Sequence, residues 1–471
     1  MKAVPYPGYK DSGQPFLGRV PSHWSVFRNG RLFLQRVETG YGDLPILEVS
    51  LKTGVRVRDM DDLKRKQMMS DRDQYKRAVH GDIAYNMMRM WQGAVGVVPV
   101  DGLVSPAYVV ARPFSEVNSW YYAYLFRTPA YMGAVDTYSR GIVKDRNRLY
   151  WQDFKRMPSP VPPVEEQDQI VRFLDAAGSK VQRFIRNKRQ LIELLKEQKQ
   201  NIINQAVTRG LDPNVKLKPS GVEWIGDIPA HWEVRRLRTL AAVRASGVDK
   251  NTNEGEVPIM LCNYVDVYKN DRITAAIDFM KATATPGEIR AFELRKGDVI
   301  ITKDSESWDD IAIPTFVPES LPGVICAYHL ALIRPVSEEV DGEVLFRAFS
   351  SDPVAEQFRV AATGVTRFGL AQGAIKGAFF PFPPVGEQRS IADHINGKCA
   401  EVDQAITRAE REIELIREYR TRLISDVVTG QVDVRGIEVP EVTEEELQAL
   451  DDAPEEAAEL VDDEAAEEVA Q

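Results

Sequence analysis

The chain has 471 residues, 44% of them hydrophobic, with 60 Lys and Arg against 70 Asp and Glu for a formal net charge of -10. That length predicts two or more domains. No apolar run approaches the roughly 20 residues that span a bilayer and the N-terminus lacks the regions of a signal peptide, so a cytoplasmic protein with no membrane partner is expected. Cys262, Cys326 and Cys399 lie far apart without a CxxC pair, which argues against a disulfide framework or a cysteine zinc site.

In chain order, the opening segment KDSGQPFLGRVPSHWSVFR (Lys10 to Arg28) fixes an irregular path with glycine and proline, and its Trp24 suits packing against another element. His23 reads as structural, because no carboxylate, Cys or Ser partner stands at a catalytic spacing. Short β-rich runs follow at Leu44 to Leu51, His80 to Met88, Gly93 to Val100 and Ala107 to Pro113, then a helical stretch at Ser119 to Val135. From Pro162 to Gly210 a long helix is predicted. Its apolar residues alternate 4-3 at Ile170, Leu174, Ala177, Val181, Phe184, Leu191, Leu195 and Ile202, with Lys188 and Gln198 as polar interruptions.

The plan then repeats. KPSGVEWIGDIPAHWEVRR (Lys218 to Arg236) brings back the P-x-H-W tetrapeptide with His231 and Trp232. β-rich runs recur at Val257 to Val267, Lys296 to Lys303, Ile311 to Pro318 and Tyr328 to Pro335, with a helical stretch at Gly342 to Ala362. A second long helix, Pro383 to Gly430, offers Ile391, Ile395, Val402, Ile406, Ala409, Ile413, Ile416, Leu423 and Val427. Pro162, Val164, Gln167 and Ile170 each stand 221 residues before Pro383, Val385, Gln388 and Ile391, so the chain is a tandem duplication. Prolines precede each helix, carboxylates Glu165, Glu166 and Glu387 occupy the first turns, and Gly210 and Gly430 mark the ends. At 1.5 Å per residue each helix of about 43 residues is roughly 65 Å long.

The expected fold is α+β, with two β-rich domains and two long antiparallel, coiled-coil-like helices in a pseudo-twofold repeat. Its divisions are 1–161, 162–210, 211–382, 383–430 and a tail at 431–471. From Glu438 to Gln471 there are 15 acidic residues and no Lys or Arg, which leaves +5 for residues 1 to 437 and predicts a disordered appendage. Antiparallel pairing would set the two β-rich domains at opposite ends of the helices, as dimeric DNA readers space half-sites.

Motifs for catalysis are missing from the sequence. There is no [DN]-P-P-[FY] to hold a flipped base, no glycine fingerprint for a nucleotide cofactor, no P-loop and no HExxH. A binding protein is expected, without a metal. Its basic and planar residues gather on loops, where phosphates and base edges are read. In the first half these are Lys52, Thr53, Arg56 and Arg58, then Asn86, Arg89, Trp91 and Gln92 in NMMRMWQG, then Arg140, Lys144, Arg146 and Arg148. In the second they are Asn263, Tyr264 and Lys269, then Lys303, Ser305 and Trp308, then Thr366 and Arg367.

The duplicated plan, the two P-x-H-W segments, NMMRMWQG and the paired PPV-x-EQ helices resemble the specificity subunit of type I restriction-modification systems over about residues 1 to 437. The resemblance implies two target-recognition domains that read the halves of a bipartite, asymmetric sequence in double-stranded DNA. It implies helices that set the gap and dock two methyltransferase subunits, with restriction-translocase subunits joining that core and a non-catalytic role for this chain. S-adenosylmethionine, ATP and magnesium would belong to those partners. By the same resemblance the docking patches include the basic run Arg183, Arg186, Lys188 and Arg189. The rival readings are a stand-alone DNA methyltransferase, which the missing motifs disfavour, and a coiled-coil scaffold, which leaves the basic loops unexplained.

Overall fold

A computed structural model describes residues 4–51, 53–58, 72–141 and 147–440. The chain forms two compact units, one from Met1–Arg189 with Glu410–Gln471 and one from Gln190–Ala409. Each long helix, Val164–Arg209 and Val385–Val428, therefore begins in one unit and ends in the other.

The two units are built in the same order. In the first, the opening hairpin pairs Tyr9–Asp11 with Arg19–Pro21, and Ser25–Arg28 pairs with Pro158–Val161 just before the long helix. A four-stranded antiparallel sheet runs in the order Phe33–Arg36, Tyr108–Pro113, Ile83–Asn86, Val95–Val97. The second unit answers with Leu217–Pro219 on Asp227–Pro229 and Glu233–Arg236 on Phe379–Phe382. Its matching sheet runs Ala241–Ala245, Leu330–Pro335, Val299–Thr302, Pro314–Phe316. Ile83–Asn86 and Val299–Thr302 are buried at every position. Both faces of these strands are covered, which is why the G-D-[IV] runs read as continuous rather than alternating apolar stretches.

Beyond this shared skeleton the units differ. The first adds the hairpin Leu47–Ser50 with Gly54–Val57. The second adds a sheet of Met280–Ala284, Val257–Cys262 and Val324–Cys326, and a small ribbon of Asp304–Ser305, Phe368–Gly369 and Thr363–Gly364. Cys262 and Cys326 lie in the core of the added sheet, and burial pushes both thiols up from their ordinary range. All three cysteines are buried and free.

The repeated motifs account for themselves at the start of each long helix. Glu166 accepts hydrogen bonds from the Tyr6 hydroxyl at 2.6 Å and Trp24 Nε1 at 3.0 Å, and its other oxygen meets His23 Nε2 at 2.8 Å. Glu387 meets His231 Nε2 at 2.6 Å and accepts from Trp232 Nε1 at 2.9 Å. The histidines thus do have carboxylate partners, supplied from the helix more than 100 residues further along. The reading of them as unpartnered is corrected, because a local search for spacing cannot see a tertiary contact. Next to each glutamate, Gln167 accepts from the Asn118 backbone N–H at 2.9 Å and donates to the Pro162 carbonyl at 2.9 Å; Gln388 does the same to Asp341 and Pro383 at 2.8 and 3.0 Å. Asn118 and Asp341 are the N-caps of Ser119–Phe126 and Gly342–Phe349, so this glutamine ties the cap of the short helix to the start of the long one.

The far end of each long helix closes on the other repeat's tryptophan. Gly210, at φ 73°, ends the first helix against Trp232 of the second unit. Gly430, at φ 76°, ends the second helix against Trp24 of the first. A Cβ at either glycine would press on the indole at 3.2 and 3.1 Å, and the left-handed backbone there suits glycine.

Within each unit the two long helices pack antiparallel. Lys188 Nζ meets Glu412 at 2.5 Å in the first and Lys199 Nζ meets Asp403 at 2.8 Å in the second, so the numbers fall along one helix as they rise along the other. The second helix buries Ile391, Ile395, Val402, Ala409 and Ile413, with Ile406, Ile416 and Leu423 half-buried. In the first, Ile170, Leu174 and Val181 are buried and Leu195 and Ile202 half-buried, but Phe184 and Leu191 are 37% and 41% exposed. Ile185 and Ile192 take the buried places instead. Apolar residues flank both sides of the line through Val181, Lys188 and Leu195, so 3-4 and 4-3 spacings both fit the sequence, and contact with the partner helix chooses between them.

The division at residue 431 also needs correcting. Residues up to Pro440 belong to the first unit: Val434 is fully buried, and Gln169 Nε2 donates to the Val434 and Ile437 carbonyls at 3.2 and 2.8 Å. Val432, Val434, Ile437 and Val439 offer the core an apolar face, which outweighs the charge beginning at Glu438. Residues 441–471 lie outside the described ones.

Candidate nucleic-acid interface

In the first unit the candidate loops arise where strands end. Thr53 sits in the turn between Leu47–Ser50 and Gly54–Val57, its N–H donating to Ser50 Oγ at 3.3 Å. Arg56, on the exposed side of the second strand, is paired with Glu48 Oε1 at 2.7 Å. After Ile83–Asn86 the chain makes a short helical turn at Met90–Gln92, capped by Gly93 at φ 95°. The buried Asn86 side chain accepts from the Met88 and Arg89 backbone N–H groups, so it shapes this turn from within. Arg89 donates to Gln92 Oε1 at 3.2 Å and Trp91 Nε1 donates to the Met88 carbonyl at 3.0 Å; all three side chains are half-buried.

Arg140 and Arg148 face each other as an antiparallel bridge that closes the third loop, with mutual backbone hydrogen bonds at 3.0 and 2.9 Å. The exposed Arg140 side chain reaches Asp153 at 2.5 Å. Lys52, Lys144 and Arg146 lie outside the described residues.

In the second unit three loops converge. Asn263 caps the helix Tyr264–Lys269 through a capping box with Asp266, which sets Tyr264 and Tyr268 in a stack at 5.7 Å and leaves Lys269 exposed. Tyr268 donates to Asp310 at 2.8 Å, and Ser305 Oγ accepts from the Ser307 backbone N–H at 3.3 Å. Ser305 is only 5% exposed, so it braces this junction and does not present its hydroxyl outward, a correction to its place among the contact residues. Trp308, on the same loop, is 51% exposed.

The third loop is a ribbon. Thr363 and Gly364 pair with Gly369 and Phe368, leaving Val365, Thr366 and Arg367 as a three-residue, exposed tip. Phe368–Gly369 also pairs with Asp304–Ser305, and the Leu370 N–H donates to the Lys303 carbonyl at 2.9 Å. Lys303 Nζ lies 3.1 Å from Asp304 and His329 Nδ1 2.5 Å from the same carboxylate. Burial works against the charged form of Asp304, but the bonds from His329 and Lys303 prevail and hold it below the usual carboxylate range.

His329 and Ala312, at φ 67° and 59°, are the non-glycine residues with positive φ among the described ones. Both grip the same stretch: the Lys303 N–H donates to the His329 carbonyl and the Ala312 N–H to the Thr302 carbonyl. Strained backbone of this kind persists only where the surroundings impose it and gathers at ligand sites.

Sequence reasoning singled out residues on three loops that the fold of the second unit brings together, and missed the Asp304–His329 contact. The two glycines that bracket G-V-T-R-F-G, Gly364 and Gly369, were the available signal for the ribbon. Among the described residues, no group of three or more His, Cys, Asp or Glu is placed to hold a metal ion, and no helix is long and apolar enough to cross a membrane.

No protein-family model matches the sequence. The chain is 21% identical over 439 residues to a protein named as the MjaX type I restriction enzyme specificity subunit of Methanocaldococcus jannaschii, covering 89% of this chain and 96% of that one. Its fold matches a chain from a solved type I R-M system with TM-score 0.65 at 15% identity, over 88% of this chain and 99% of the other. It also matches the HsdS subunit of Thermoanaerobacter tengcongensis with TM-score 0.52 at 16% identity, over 88% and 98%. The chain is thus similar in sequence to proteins named as type I specificity subunits and shares the fold of an HsdS subunit, in keeping with the resemblance carried by the duplicated motifs.

Proposed function

We propose that this chain, similar to type I specificity subunits, is the DNA-reading component of a type I restriction-modification complex, each unit recognising one half of a bipartite, asymmetric target. The observation that carries the reading is a repeated skeleton with unlike loops. Strand order and the Glu-Gln clamp are the same in both units, while one presents Arg89, Trp91 and Gln92 and the other Tyr264, Trp308 and the Val365–Arg367 tip. A shared frame with divergent loops is what two different half-sites require. The chain does no bond chemistry of its own. S-adenosylmethionine, ATP and magnesium act on partner subunits, and the paired helices are the docking surface for two methyltransferase subunits, around which the restriction-translocase subunits assemble.

Selection from random duplexes followed by binding at graded salt tests this. A sequence-selective reader enriches two short motifs at fixed separation and loses affinity log-linearly with salt. Absence of DNA binding would leave only the scaffold reading. Transfer of labelled methyl groups to DNA by the purified chain would establish the stand-alone methyltransferase instead. Exchanging residues 1 to 160 for a homologous segment should change one motif and leave the other.

A further inference from the structure

Val365 is 91% exposed, more than any other large apolar side chain described, and it stands at the three-residue tip of a paired ribbon. Its ribbon is closed on one side by Thr363–Gly364 against Phe368–Gly369 and on the other by Asp304–Ser305. Gly364, at φ 153°, is obligatory: a Cβ there would stand 1.9 Å from the Arg367 carbonyl oxygen. The strained His329 and Ala312 and the Lys303–Asp304–His329 contacts fix the strand beneath. A valine set out in water at the tip of a ribbon paired on both sides buries little in the fold, so folding does not explain its place.

The surroundings narrow what it meets. The adjoining loop carries Asp304, Glu306, Asp309 and Asp310, a poor setting for phosphate oxygens. Asp304 is held by Lys303 and His329, Asp309 by Ser307 and Asp310 by Tyr268, so these carboxylates are turned to internal bonds. What the tip offers outward is an isopropyl group beside the hydroxyl of Thr366 and the guanidinium of Arg367. Among base edges in the major groove, the apolar feature is the C5-methyl of thymine, and a two-stranded ribbon is narrow enough to enter that groove.

We propose that Val365 is a specificity-determining residue that reads a thymine C5-methyl in the major groove of the half-site recognised by the second unit. The proposal rests on the DNA-reading function above. With Arg367 on the same three-residue tip, it further implies a guanine beside that thymine, since arginine pairs with the guanine O6 and N7 edge.

Deoxyuridine scanning of the selected duplex isolates the methyl, because dU pairs as dT does and differs only by that group. The exchange of residues 1 to 160 first identifies the half-site belonging to the second unit. For the full chain, one dT→dU replacement in that half-site should weaken binding about fourfold, the effect of one buried methyl at about 0.8 kcal/mol. Val365→Ala should cost a similar factor on the dT duplex and make the protein indifferent to dU at that position. Because Val365 is exposed, the variant should keep the wild-type unfolding curve, which confirms that binding alone has changed.

If no position in that half-site senses dU, or if the sensitivity survives Val365→Ala, the proposal is overturned. A valine wedged into the minor groove would give the first of these results, since thymine and uracil are identical there. If the wild-type chain selects no sequence at all, the DNA-reading function itself fails, a distinct outcome visible before any scanning.

Discussion

Glu166 and Glu387 hold the same place in two copies of one motif and differ in burial, 5% against 43% side-chain exposure. Removing Glu166 leaves the Tyr6 hydroxyl and the Trp24 indole N–H without their acceptor inside the first unit. Glu166→Ala should therefore destabilise that unit by about 2 to 4 kcal/mol, the range for stranding buried polar partners. Glu387→Ala should cost about 1 kcal/mol or less, because water replaces much of what is lost. Chemical denaturation of the two variants, followed by Trp fluorescence, compares them directly, and equal losses would contradict the argument from burial.

A second buried carboxylate makes stability depend on pH. Glu343 is paired with Arg272 and accepts from Asn396 Nδ2 at 2.7 Å. Burial alone would raise its pKa, but these two bonds outweigh it and the carboxyl sits below its ordinary value of 4.5. A depressed folded-state pKa contributes stability above about pH 4.5, lost as pH falls through the lower folded value. The wild-type chain should lose stability below about pH 4.5 more steeply than Glu343→Gln, whose own stability is lower at neutral pH, measured as denaturation midpoints from pH 3 to 7.

At the scale of the helix, the informative feature is the choice of Ile185 and Ile192 over Phe184 and Leu191. Ile185→Ala and Ile192→Ala should each cost about 2 to 4 kcal/mol, while Phe184→Ala and Leu191→Ala should cost well under half of that. Thermal unfolding of the four variants separates the two phases, and the reverse order would restore the 4-3 seam. The ion pairs across this seam join a half-buried lysine to an exposed carboxylate, at 25% and 48% for Lys188 and Glu412. They set register more than stability, being worth about 0 to 1 kcal/mol each.

For the whole molecule, the first unit is completed by residues from the far end of the chain. Gly430 lies against Trp24, the Tyr121 hydroxyl donates to the Val428 carbonyl at 2.8 Å, and the Asp433 N–H donates to the Val4 carbonyl at 2.8 Å. Truncation after Gly430 should destabilise the first unit by about 3 kcal/mol relative to truncation after Pro440, since fully burying one valine such as Val434 is worth about 1.5 to 3 kcal/mol before its hydrogen bonds are added. Differential scanning calorimetry of the two truncated chains measures this, and identical first transitions would show that residues 431–440 add nothing.

The duplication, the two long helices with their proline starts and glycine ends, and the buried G-D-[IV] strands were determined by sequence alone, because each rests on contacts or backbone preferences within a few residues. The loops that gather the candidate DNA-contacting residues were legible for the same reason. Partners distant in the chain were decided only by the tertiary structure: Glu166 for His23 and Trp24, Asp304 for His329, Ile185 in place of Phe184, and Val434 in the first core. A local pattern states which side chains want burial or a partner; which of several equivalent candidates is satisfied depends on what the fold brings alongside.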